Sequence, residues 1–154
     1  MMQNISIQDE MIPCMKVIYM RRTGAYGPEN HELMERFKTW LQNNQLFCGD
    51  TVILGMALDD MNTVAAENCR YDVCMVVEDN FKCESQEISI KTVPSGKYAT
   101  LLIPHTAQAV QSAWRMIPAL CEKGYELDFS KPILERYAKR LVDQHYCELC
   151  VPVM

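Results

Sequence analysis

The chain has 154 residues, 49% of them hydrophobic, and a formal net charge of -5 with a pI near 5.2. That describes one globular domain, or two small units fused, able to remove roughly 70% of its unfolded surface from water. The acidic balance argues against nucleic acid or an anionic membrane as the main partner, and no apolar run approaches the roughly 18 residues of a spanning helix.

The N-terminal stretch MMQNISIQDEMIP has no basic region and no long apolar block. A signal peptide is therefore not expected, and a cytoplasmic protein is. Residues 1–12 read as a short lead-in with little structure, and residues 13–154 as one domain. Residues 15–22, MKVIYMRR, form a β-rich run, followed by Gly24, Tyr26, Gly27 and Pro28. Pro28 suits a first helical position, and Glu29 and Glu32 favour a helix N-terminus. The helix is predicted to run to Asn43, with Leu33, Met34, Phe37, Trp40 and Leu41 on one stripe.

Residues 51–58, TVILGMAL, predict a second strand, ended by Asp59 and Asp60. Residues 71–78, YDVCMVVE, predict a third, apolar on both faces and therefore central. Residues 87–93 alternate in polarity, and Pro94-Ser95-Gly96 turns them into the strand 97–103, KYATLLI. Thr106 is the expected N-cap of a second helix to Lys123, with Trp114 on its apolar stripe and Gly124 as its stop. Pro118 inside it should kink the helix or end its regular part. Two strands close the chain, ILERYA over 133–138 and CELCVPV over 147–153.

Eight cysteines include a CxxC pair at Cys147 and Cys150. On a strand, positions three apart face opposite sides, so this pair does not favour a shared metal. Reduced core thiols, and neither metal nor cofactor, are the expectation.

The order strand, helix, strand, strand occurs twice, over 14–78 and 96–153. Ile53-Leu54-Gly55 then corresponds to Ile133-Leu134-Glu135, and Gly55 takes the place of Glu135. Ile133, Glu135 and Tyr137 share a strand face. An acid between an aliphatic and an aromatic neighbour either lies on a solvated face or lines an apolar pocket with a functional purpose.

RRTGAYGP, Asp59-Asp60, RYDVC, VPSGKYA, Pro132-x-x-Glu135-x-Tyr137 and a terminal VPV follow one another in order over residues 13–154. Together they resemble the GyrI-like family, the gyrase-inhibitor-like small-molecule-binding domains that also serve AraC-type and MerR-type regulators. The resemblance implies an α+β fold. Duplicated strand-helix-strand-strand units form a mostly antiparallel sheet, with two helices on one face and a ligand cleft between the halves. It makes Glu135 the acidic centre of an aromatic pocket and matches Tyr26 to the aromatic after the first strand. Tyr137 lies in the same motif as Glu135. Trp114 and Phe37 are placed as walls by their helical stripes. The chain departs from the family at His105-Thr106, where Gly-Pro is frequent, and at Cys150, where an aromatic is frequent.

Three functions are consistent with this resemblance. The first is a stand-alone module that binds a cationic or aromatic drug or toxin, because the chain begins almost at its first strand and has no room for a helix-turn-helix. The second is a hydrolase of cyclopropane-bearing genotoxins, with Glu135 as general base and a hydroxyl of Tyr26 or Tyr137 as the polarising group. The third is a modulator of DNA gyrase.

Overall fold

The computed structural model describes residues 5–154. Eight strands form one antiparallel sheet: β1 Ser6–Ile12, β2 Met15–Thr23, β3 Val52–Ala57, β4 Arg70–Val77, β5 Ser89–Val93, β6 Gly96–Pro104, β7 Leu134–Ala138 and β8 Tyr146–Val153. The helices are α1 Pro28–Asn43, α2 Ala107–Met116 and the single turn α3 Lys139–Val142. The strand order is β1-β6-β8-β7-β3-β4-β2-β5. Outward from the central β3–β7 pair, β4 and β2 lie on one side and β8 and β6 on the other. Each half of that arrangement brings its own helix, α1 between β2 and β3 and α2 between β6 and β7.

Register decides which side the helices occupy. Gly55 pairs with Glu135, Glu135 with Leu149, and Leu149 with Leu101. Directly opposed residues share a face, so these side chains point the same way. Beneath α1, Leu33, Phe37 and Leu41 pack on Ile18, Ile53 and Val73. Beneath α2, Ala113 and the following Ile117 and Leu120 pack on Leu101, Leu149 and Val151. Ile53 pairs with Tyr137, which packs against both clusters. Both helices therefore cover one face of the sheet.

The other face has its own buried cluster, including Val17, Leu54, Cys74, Leu134 and Cys150. Charges on it are paired. Asp72, with 0% of its surface exposed, accepts from Arg21 at 2.7 and 2.9 Å and from Lys91 at 2.5 Å. Arg136 donates to Glu10 at 2.8 and 2.9 Å and to Glu148 at 2.9 Å.

The local signals act where the sequence puts them. Pro28 opens α1 and Thr106 caps α2, its Oγ1 accepting from the Ala109 amide at 3.1 Å. Pro118 ends the regular α-helix, and residues Ile117–Lys123 continue as a 3-10 helix. Gly124 then takes φ 93°, which suits glycine.

One expectation is corrected. In the lead-in expected over 1–12, residues 1–4 lie outside the described residues, but Ser6–Ile12 is a strand. It pairs along its whole length with β6, from Ser6–Leu102 to Ile12–Gly96. An edge strand is held by backbone hydrogen bonds to one neighbour, so it needs little apolar patterning of its own.

Candidate functional site

Glu135 sits in the middle of β7, and its side chain rises from the helix-covered face at the seam between the halves. Two donors reach it from opposite directions. Tyr71, on β4, donates its hydroxyl to Oε1 at 3.0 Å. Trp114, on α2, donates its indole N–H to Oε2 at 3.3 Å. The first half thus supplies one donor and the second half the other.

Gly55 makes the first contact possible. It lies opposite Glu135 in the β3–β7 ladder. A Cβ there would run into the Tyr71 hydroxyl and stand 2.9 Å from Glu135 Oε1. Glycine in a strand interior commonly marks such a close approach.

Among the described residues the carboxylate has no cationic partner: no Lys, Arg or His forms an ion pair with it. Burial pushes its pKa up, and the hydrogen bonds from Tyr71 and Trp114 pull it part of the way back. The Tyr71 hydroxyl is also pushed up, first by burial and then by the nearby Glu135 charge. Tyr71 therefore stays a protonated donor.

Above this group opens a cleft of about 770 Å³, with walls that include Tyr26, Ala57, Ile117, Pro132 and Val151. That is the size range of a site for a drug-sized molecule.

The residues singled out in the sequence fall into two groups. Glu135, Tyr26 and Trp114 line the cleft. Tyr26 stands edge-on to Tyr71, ring centroids 6.3 Å apart. Its hydroxyl is engaged, donating to the Arg70 carbonyl at 2.8 Å and accepting from the Asp59 amide at 3.1 Å. It offers the cleft aromatic surface and fixes the loop after β3. Phe37 and Tyr137 are not among the lining residues. Phe37 is wholly buried under α1, because it occupies the centre of the stripe facing Ile18 and Val73. Tyr137 is one repeat of the strand beyond Glu135, between the two helical clusters, with its ring 5.4 Å from that of His105.

Tyr71 was not picked out by sequence reasoning. Its signal was Gly55: a missing side chain opposite a pocket acid means that another group fills the space. Cys147 and Cys150 belong to opposite faces, Cys147 under α2 and Cys150 in the cluster on the other side. Burial pushes both thiols up to about 12, which disfavours the thiolate.

A family model, the GyrI-like small molecule binding domain, matches residues 6–154. The chain belongs to the GyrI-like family. It is 39% identical over 150 residues to the SPbeta prophage-derived YosT of Bacillus subtilis strain 168, whose name describes a candidate transcriptional regulator. That match spans 97% of this chain and 99% of YosT.

Solved structures share the GyrI-like fold. The EcmrR C-terminal domain matches with TM-score 0.73 and 14% identity, covering 99% of each chain. In the EcmrR–DNA complex the match spans 97% of this chain and only 57% of the EcmrR chain. SAV2435 bound to tetraphenylphosphonium matches with TM-score 0.61 and 15% identity, over 97% of this chain and 94% of that one. A hydrolase from Listeria innocua matches with TM-score 0.61 and 10% identity, over 96% and 91%. The family match begins at residue 6, so β1 belongs to the GyrI-like domain.

Proposed function

We propose that this GyrI-like domain binds a lipophilic aromatic cation in the cleft, with Glu135 as the countercharge. The observation that carries the reading is the carboxylate itself. It is desolvated, it holds two neutral hydrogen-bond donors, and no cation of the described residues pairs with it. An unpaired charge in such a place is costly unless a ligand completes it. Tyr26, Tyr71 and Trp114 supply aromatic surface for stacking and cation–π contact. The tetraphenylphosphonium bound to SAV2435, a protein of the same fold, supports this ligand class. In this reading the chain is an effector-sensing or toxin-sequestering module, in keeping with the regulator name of YosT.

The reading is tested by thermal shift and calorimetry with tetraphenylphosphonium and a panel of aromatic cations. Binding should stabilise the native state, and Glu135→Gln should weaken it. A panel that leaves both stability and heat unchanged contradicts the proposal.

A second reading is hydrolytic, and the Tyr71–Glu135 pair favours it. A carboxylate of raised pKa is a better general base near neutrality. Glu135 would take a proton from water as the resulting hydroxide opens a cyclopropane carbon–carbon bond. The electron pair would pass to the conjugated carbonyl, whose oxygen accepts a hydrogen bond from the Tyr71 hydroxyl, and the proton taken up by Glu135 would return to the resulting enolate. Incubation with a cyclopropane-bearing alkylating toxin tests this. Ring-opened product that disappears with Glu135→Gln supports turnover, and unaltered toxin in the presence of bound protein rules it out.

A further inference from the structure

Two tight turns stand at the mouth of the cleft, one from each half of the chain. In the first, Asp60 Oδ1 accepts from the Asn62 amide at 2.8 Å. In the second, Asp128 Oδ1 accepts from the Ser130 amide at 2.9 Å and from its hydroxyl at 2.5 Å. Each turn thus has an aspartate folded over its own backbone, a local motif that fixes chain direction. Each also carries one large apolar residue at its middle, Met61 in the first and Phe129 in the second.

These side chains are unusual for their position. Met61 is 69% exposed and Phe129 89% exposed. Of the large hydrophobic residues exposed among the described residues, these are the two that line the cleft. A stray apolar side chain on a loop needs no explanation. Two at the same opening, held from independent parts of the chain by the same kind of turn, do.

The turns are also anchored from outside. On the first lip, the Tyr26 hydroxyl accepts from the neighbouring Asp59 amide at 3.1 Å, and within the loop the Val64 amide closes back on the Asp60 carbonyl at 2.9 Å. On the other lip, the Asp128 amide donates to the Pro152 carbonyl at 3.0 Å, and Lys131 Nζ donates to the Ser95 carbonyl at 3.1 Å. Backbone held in this way leaves little loop ordering to oppose binding.

We propose that Met61 and Phe129 are specificity-determining contacts that grip the apolar body of the ligand, a flat polycyclic aromatic compound. Its charged end reaches Glu135 and its ring system extends outward between the two turns. The proposal rests on the reading of Glu135 as the site of a cation, and it adds what selects the rest of the molecule. Phe129 offers a stacking ring. Met61 offers a polarisable thioether that tolerates varied ring shapes.

The test uses two dyes with the same ring system on the full chain, N-methylacridinium and, at mildly alkaline pH where it is uncharged, acridine. Dye fluorescence is titrated with wild type, Met61→Ala, Phe129→Ala and Glu135→Gln. Loss of an apolar contact acts on both dyes, whereas loss of the carboxylate acts on the cation. Phe129→Ala should weaken both dyes about tenfold, and Met61→Ala by a smaller common factor, the scale of one partly buried side chain. Because both residues are exposed, melting temperature without dye should not change. Equal affinities in wild type and both alanine variants overturn the proposal and leave the role of Glu135 standing. Weakened binding in the alanine variants, with no preference of wild type for the cationic dye, supports the grip and overturns the role of Glu135. Binding of neither dye to wild type overturns both.

Discussion

Gly55 faces Glu135 directly across the β3–β7 ladder, and its missing side chain lets the Tyr71 hydroxyl come within 3.0 Å of Oε1. The two central strands thus do different work at one level of the sheet. One provides the acid, and the other provides the space in which a donor from β4 can meet it.

Gly55→Ala should therefore disturb the site and the fold together. The added methyl collides with Tyr71 and crowds Glu135. Overpacking of this kind costs about 1–3 kcal/mol. Urea denaturation is the measurement, and a loss of that size without a changed m-value is expected. Tyr71→Phe with Gly55→Ala should lose less than the sum of the two, because removal of the hydroxyl also removes the collision.

The acid also gives a pH dependence with a definite sign. Burial raises the pKa of Glu135 in the folded state above its unfolded value. Between those two values the folded chain binds more protons than the unfolded one. Its stability contribution is present below the unfolded pKa and is lost as pH rises through the folded pKa. Glu10, whose pKa is lowered chiefly by its hydrogen bond from Arg136, acts in the opposite direction. Comparison of wild type with Glu135→Gln isolates the first effect. The variant should gain stability relative to wild type as pH rises from mildly acidic to neutral, followed by melting temperature at each pH. A Gln can satisfy the same partners, its carbonyl accepting from Trp114 and its amide donating to Tyr71. Identical curves for the two proteins would show that the carboxylate is not desolvated.

Much of this arrangement could be read from the sequence, and the exceptions have physical reasons. The stripe through Phe37, the cap at Thr106, the break at Pro118 and the stop at Gly124 are local signals, set by periodicity and backbone chemistry. The repeated element order made Gly55 the counterpart of Glu135, and the structure adds that the two stand directly opposite each other, because like strands of the two units meet at the centre. The edge strand β1 was missed because it depends on a neighbour almost a hundred residues away in sequence, as the Ser6–Leu102 pairing illustrates. Phe37 was placed as a wall because a stripe gives the buried side of a helix but not what lies beneath each turn. Tyr137 shares a face with Glu135, yet one strand repeat separates cleft from core. Gly55 signals that some group fills the space beside Glu135, but that the group is Tyr71 depends on the register of β4 against β3, which only three-dimensional pairing supplies.

A separate prediction concerns the face away from the helices. Asp72 is fully buried and holds Arg21 and Lys91 together. Removal of one member of a buried charge group leaves the others uncompensated and costs about 3–5 kcal/mol, less where the partners can turn to solvent. Arg21 and Lys91 retain some exposure, so Asp72→Ala should fall at or below the lower end of that range. Thermal denaturation checks the loss. Cation affinity in the cleft should remain unchanged in the folded variant, since Asp72 faces the other side of the sheet.

The central claim is that Glu135 is the countercharge for a cationic ligand. Isothermal calorimetry of tetraphenylphosphonium with wild type and Glu135→Gln tests it most directly, because the substitution keeps the shape and removes the charge. Wild type should bind, and the variant should bind more weakly by about 1–3 kcal/mol, the scale of a lost charge-assisted contact. Affinity of wild type should also rise with pH as the carboxylate ionises, while that of the variant stays flat. Equal affinity of the two proteins across pH would contradict the account.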